Sequence, residues 1–142
     1  MKFKNEISLA EVNAFNKNTL MDTLEMECIE IGDVYLKIKM PVNSKVHQPM
    51  GALHGGASVA LIESVGSMGS ALLIDVTKST PVGLEVNANH IGYIEKGNVI
   101  ATGTIIHSGK RTHVWSVEIH SEESNKLICT GRLTVMIIPR IK

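Results

Sequence analysis

The sequence predicts an α+β domain in which one long helix packs against a curved antiparallel sheet. Three observations carry this. Residues 56–74 form a single long stretch that is apolar or small nearly all round, as a helix wrapped by a sheet must be. Two strand-like segments precede it and four follow it. The connections between the last four are short turns, too short for the crossovers that parallel strands need.

The elements follow in order. Ser8 and Glu11 have capping-box spacing, and Ile7 with Val12 can form a hydrophobic staple, so a first helix starts at Ser8 and runs to about Asn16. A helical turn is expected near residues 20–24. Residues 26–31 and 34–40 alternate as strands around the turn signal Gly32-Asp33. A loop from Pro41 to Gly55 carries Pro49 and Gly51 as breakers. After the long helix, strands are expected at 83–93, 99–107, 114–120 and 127–138. The turns between them are at 95–98, 108–110 and 122–126. No repeat, low-complexity tract or linker divides the 142 residues, so residues 1–142 read as one domain with a full core.

Bulk properties exclude some functions. Net charge is +0, which gives no support for nucleic-acid binding. No uninterrupted apolar run reaches the length of a membrane span, because Glu63, Ser64, Ser67 and Ser70 interrupt the best candidate. The N-terminus lacks the apolar core of a signal peptide. Cys28 and Cys129 have no paired spacing and read as reduced thiols of a cytoplasmic protein. An apolar-rich small domain at zero net charge also hints at subunit contacts.

The chemistry is expected around His54-Gly55-Gly56-Ala57-Ser58 and Glu63. Two glycines weaken a helix start, and a carboxylate among Val59, Leu61, Ile62 and Val65 is costly to bury. Unpaired N–H groups at a helix start carry partial positive charge, and glycines let a ligand approach them closely. Such a site polarises a carbonyl and stabilises an oxyanion. A carboxylate two turns along can attack that carbonyl or activate water. The two groups can also come from different subunits. Helical spacing puts Val59, Ala60, Glu63, Gly66, Ser67 and Ser70 on one surface, read as the floor of a cleft, and Leu61, Val65, Met68 and Leu72 on a core stripe.

Other motifs are weaker. Gly66-Ser67-Met68-Gly69-Ser70 lacks the order and preceding strand of a serine-nucleophile elbow. Gly103 to Gly109-Lys110 is one residue too long for a phosphate loop, and Arg111 stands where Ser or Thr is required. His47 and His54 have no zinc-type partners, so no metal is expected.

Over nearly its whole length the chain resembles hotdog-fold acyl-CoA thioesterases, in particular the 4-hydroxybenzoyl-CoA and 1,4-dihydroxy-2-naphthoyl-CoA subfamily. The matching stretches are Met40-Pro41-Val42, Gln48-Pro49, Leu53 to Ser58, Glu63 to Ser67, Val82 to His90 and Val114-Trp115. The resemblance implies the hotdog fold and the roles of its site residues. Glu63 would be nucleophile or general base, and the Gly55 N–H would polarise the carbonyl. Gln48 would hold that carbonyl or the attacking water, His54 would orient its neighbours, and Ser67 would help position water. Met68 would line the acyl pocket. Val82, Gly83 and His90 would lie near the pantetheine arm. His107, Gly109, Lys110 and Arg111 would meet the nucleotide phosphates, and Ser108 to Arg111 is also the compact basic turn of the chain. Gly92 departs from relatives that carry a basic residue there.

The expected function is hydrolysis of an acyl-CoA thioester, with an aromatic acyl group implied by the resemblance and 1,4-dihydroxy-2-naphthoyl-CoA, of menaquinone synthesis, as the specific expectation. A broad housekeeping or proofreading thioesterase acting on aryl- or fatty acyl-CoA, or on acyl carrier protein, is the enzymatic alternative. A non-catalytic acyl-CoA-binding module and a hotdog dehydratase are further alternatives. No cofactor is implied, CoA being part of the substrate. The expected partners are the acyl-CoA and a second copy of the chain, in a dimer or a dimer of dimers, without nucleic acid or membrane. Few aromatic residues are available for an acyl pocket, and Met50, Met68 and Leu72 are the candidates for an adaptable one.

Overall fold

In the computed structural model, Phe3 and residues 7–140 are described. Most of the N-terminal stretch read against a signal peptide lies outside the described residues. Helix α1 (Leu9–Ala14) starts at the predicted capping box: Ser8 Oγ accepts from Glu11 N–H, and the Glu11 carboxylate accepts from Ser8 N–H. Helix α2 (Leu20–Thr23) is a single turn. Strands β1 (Glu27–Ile31) and β2 (Tyr35–Val42) form the predicted hairpin, closed by Gly32 N–H donating to Tyr35 O. Helix α3 (Gly55–Leu73) follows, then β3 (Ser79–His90), β4 (Gly97–Ser108), β5 (Thr112–Ser121) and β6 (Leu127–Pro139).

All neighbouring strands are antiparallel, in the order β1-β2-β4-β5-β6-β3. The sheet wraps α3, whose Leu61, Ile62 and Val65 are fully buried against Trp115, Leu36, Ile38, Met40 and Leu133. By length and composition α3 would suffice to cross a membrane, contrary to the sequence reading. Its apolar side is instead occupied by the sheet. Cys28 and Cys129 are both buried within the same core, and burial raises both thiol pKa values.

Strand β3 begins four residues before the expected start. Pro81 reads as a breaker, but β3 is an edge strand and pairs β6 on one side only, where a missing N–H is tolerated. It ends at His90 rather than Tyr93, because Ile91 and Gly92 N–H both turn to Ile128 O. The loop before α3 is also more ordered than expected. It holds a 3-10 turn (Ser44–Val46), a bridge between His47 and Leu53, and a tight turn in which Gln48 O accepts from Gly51 N–H.

The structure corrects the reading of Ser70 and Gly66 as cleft floor. Both are buried. Ser70 Oγ accepts from Trp115 Nε1–H at 2.9 Å and lies 3.1 Å from His113 Nδ1. Gly66 lies against Leu133 and Trp115. Ser70→Ala takes the acceptor from a fully buried indole and should cost about 1–3 kcal/mol in chemical denaturation. A loss under about 0.5 kcal/mol would contradict this account of Ser70.

Candidate active site

The helix start is built as the sequence suggests. His54 is the N-cap of α3, in extended backbone, and its Nδ1 accepts from Gly56 N–H at 2.8 Å. In the neutral ring this bond leaves the proton on Nε2, so His54 presents a donor outward. His54 N–H donates to Val46 O, which ties the cap to the preceding loop. The Gly55 N–H has no partner among the described residues, as expected of the first turn of a helix. The His90 ring stands directly beside it: a Cβ on Gly55 would fall 2.8 Å from His90 Nε2. A side chain here would have to push the exposed His90 ring aside and would crowd a ligand oxygen at the N–H, which glycine leaves open.

Gln48 sits in the adjoining tight turn. Its amide oxygen accepts from Met50 N–H. The amide NH2 is thus its open group, a donor suited to a carbonyl oxygen. Met50 lies at the tip of this turn and is 81% exposed.

Glu63 lies elsewhere. Among the described residues its carboxylate has one hydrogen bond, from Ser67 Oγ at 3.5 Å, and it rests against the bare backbone of Gly83. A Cβ on Gly83 would meet Glu63 Oε1 at 2.1 Å. The β3–β6 register slips between Gly83 and Glu85, and the bulge with the glycine opens the space that the carboxylate fills. Glu63, Ser67 and Met68 face one cavity of about 840 Å³. Met68 therefore serves this cavity rather than the core stripe alone. Leu72 lines it too, whereas Met50 of the same protomer does not.

The remaining sequence-predicted residues divide into two groups. Val82 and Gly83 lie on exposed β3, with Val82 41% exposed. His107 lies near the end of β4, and Gly109, Lys110 and Arg111 form the β4–β5 turn, in which Gly109 N–H donates to Thr112 O. Lys110 and Arg111 border a second hollow that also takes in Lys78 and Ser79. Sequence reasoning missed Lys78, which approaches the basic turn only through the β3–β6–β5 pairing. It also missed Phe15, Leu20, Met21, Val76 and Arg140, which line the main cavity. Val76 comes from the turn after α3, and the others from the N-terminal helices and the C-terminus, distant in sequence from Glu63.

The central geometric fact is a separation. Gly55, His54, Gln48 and His90 gather at one end of α3, and Glu63, Ser67 and Met68 lie farther along it. Eight residues at 1.5 Å each put Gly55 and Glu63 roughly 12 Å apart along the helix axis. A carbonyl held at the Gly55 N–H is out of reach of the same protomer's Glu63.

A central helix wrapped by a six-stranded antiparallel sheet, with a glycine-flanked helix start and a carboxylate facing an apolar cavity, defines the hotdog thioester hydrolases. The profile of the Thioesterase superfamily matches residues 50–128, more than half of the chain, and the chain belongs to that superfamily. It is 40% identical over 138 residues to the 1,4-dihydroxy-2-naphthoyl-CoA hydrolase of Escherichia coli, covering 97% of this chain and 100% of the relative. A hydrolase of the same name from Listeria monocytogenes is 40% identical over 118 residues, 83% of this chain and 94% of its own. Among solved structures, a mutant of thioesterase PA1618 from Pseudomonas aeruginosa superposes with a TM-score of 0.95 at 41% identity, covering 99% and 100% of the two chains. Thioesterase HI1161 from Haemophilus influenzae gives 0.94 at 37% identity, covering 100% and 98%. The protein is an enzyme, a thioester hydrolase.

Proposed function

We propose that this enzyme hydrolyses acyl-CoA thioesters at a site shared between two protomers, and that 1,4-dihydroxy-2-naphthoyl-CoA is its substrate. The observation that carries the shared site is the separation of Gly55 from Glu63 together with the open edge of β3. Strand β1, at the other edge, is bonded through its backbone by Asn13 of α1. Among the described residues, strand β3 pairs only β6. Twelve residues of uncovered edge are a template for a second copy. The His90 ring of β3 reaches Gly55, and the Glu63 carboxylate meets β3 at Gly83. A two-fold axis midway, near Val86 and Asn87, pairs β3 with its copy. It brings the Gly55 end of one protomer beside Glu63 of the other.

In that arrangement the thioester carbonyl accepts from Gly55 N–H and from the Gln48 amide. The His54 Nε2–H is a further donor at the same helix start. Glu63 of the opposite protomer, steadied by Ser67, takes a proton from water as its oxygen adds to the carbonyl carbon. The oxyanion collapses, the C–S bond breaks, and CoA leaves as thiolate and is reprotonated, giving free acid. The helix-start donors act on the charge that develops on oxygen, where such groups are worth most. The basic turn of Lys110 and Arg111, with Lys78 beside it, supplies cations for the nucleotide phosphates. The aromatic acyl group is supported by the names of the E. coli and Listeria relatives. An acyl carrier protein could present the same thioester through its pantetheine arm.

The test is thiol release from a panel of CoA esters: 1,4-dihydroxy-2-naphthoyl, benzoyl, 4-hydroxyphenylacetyl, short-chain and long-chain. The naphthoyl ester is expected to give the highest kcat/KM, and Glu63→Ala to remove release from every ester. A fatty acyl ester at the head of the rank order would replace the naphthoyl assignment with a housekeeping one. Wild-type turnover by Glu63→Ala would end the mechanism.

A further inference from the structure

The cavity that begins at Glu63 is roofed by α1 and α2, elements to which the sequence assigned no role. Met68 and Leu72 of α3 form its floor, and Phe15, Leu20 and Met21 belong to the roof. From Glu63 to Leu72 the helix rises about 13.5 Å, and the cavity continues past that point to Val76. At about 840 Å³ it falls in the range of sites that bury most of a ligand. An acyl group of two carbons attached to a thioester at Glu63 would fill only its mouth.

The roof is held from its far side. The Asn13 side chain makes two bonds to the Cys28 backbone, donating to its O at 2.9 Å and accepting from its N–H at 2.8 Å. Asn16 donates to Met26 O at 3.3 Å and is buried. With the two amides committed to β1 and to Met26 just before it, Phe15 and Leu20 are left at the cavity lip, 77% and 58% exposed. Leu20 belongs to a one-turn helix whose N-cap Thr19 makes no side-chain capping bond to it. The turn is fastened at its ends, Asp22 accepting from Asn18 N–H and Thr19 Oγ1 donating to Asn16 O, and what remains free to adjust is the exposed Leu20 side chain. Two large apolar side chains exposed beside an apolar cavity gain by covering whatever apolar group enters it.

We propose that α1 and α2 are the acyl-selecting element of this enzyme: Phe15 and Leu20 fold over the acyl group and favour large apolar acyl groups over short ones. This deepens the thioesterase reading and rests on it. The occupant is the acyl group itself, because the cavity is continuous with Glu63 and mostly apolar beyond it, with Ser79, Thr80 and Arg140 as polar residues of its lining.

The experiment measures binding, so that it does not depend on turnover. The Glu63→Gln enzyme is titrated with 1,4-dihydroxy-2-naphthoyl-CoA and with acetyl-CoA, with and without Phe15→Ala. The ratio of the two affinities is expected to fall about tenfold with Phe15→Ala, which corresponds to losing contact with part of one large apolar side chain. Phe15→Leu should restore most of the ratio, and Leu20→Ala should lower it further. An unchanged ratio, an equal loss on both esters, or failure of both to bind would overturn the proposal. The hydrolytic reading fails by a different sign, absence of thiol release by the wild-type enzyme. Phe15 is so exposed that its removal should move the thermal midpoint little, which a melting curve checks.

Discussion

The Glu63→Gln enzyme is expected to lose about a thousandfold of its kcat or more while remaining folded and still binding substrate. The amide has the shape of the carboxylate, so it keeps the place against Gly83 and the approach of Ser67 Oγ. What it loses is the capacity to accept a proton from water or to attack a carbonyl. Loss of a general base costs about 10²–10⁴ in rate. Stability should not suffer, since among the described residues the carboxylate has no cationic partner and one long hydrogen bond. A half-buried charge so lightly compensated is a cost to the fold. Removing it is expected to leave the unfolding free energy equal or higher, by up to about 1 kcal/mol. Loss of activity with loss of fold would point to a structural Glu63. Retention of more than a tenth of wild-type kcat would remove Glu63 from the chemistry. In the wild-type enzyme, a burst of thiol exceeding steady-state acid release would identify covalent attack, and a burst-free time course is expected for the water route.

What the sequence disclosed follows from the range of the interactions involved. The capping box of Ser8 and Glu11, the Gly32-Asp33 hairpin and the His54 helix start are local. Each is settled by residues within four positions of one another, and each appears in the structure nearly as read. The alternation of the later strands was legible because one face of each meets α3. Strand β3 was legible only in part, since an edge strand with Pro81 and a bulge at Gly83 breaks the period that marks a strand. Ser70 was misread because its partners, Trp115 and His113, lie more than forty positions away. A polar residue on a helix looks the same in sequence whether it faces water or a buried indole. The site had a similar limit. His54, Gly55 and Glu63 could be picked out by the local cost of placing them there, but their spacing could not say whether they serve one active site or two. The roof of the cavity was illegible for the same reason: Phe15 reaches Glu63's cavity through tertiary packing alone.

Two inactive variants, co-expressed, are expected to restore activity. If the helix-start group of one protomer works with Glu63 of the other, a dimer of one Glu63→Gln and one Gln48→Ala protomer has two unlike sites. In the first, both substitutions meet and the site is dead. In the second, an intact Glu63 faces an intact Gln48 turn and Gly55. Random pairing makes about half the dimers mixed, each with one good site, so about a quarter of wild-type activity should return, set by two-fold symmetry alone. Each variant assembled alone should remain near its own residual rate. A site complete within one protomer predicts the opposite result: every site in the mixture then carries one substitution, and activity stays at the average of the two residual rates. The roughly 12 Å that α3 sets between Gly55 and Glu63 favours the first outcome, because the donors of an oxyanion hole and the base that drives water onto the same carbonyl must lie within a few ångströms of one carbon atom.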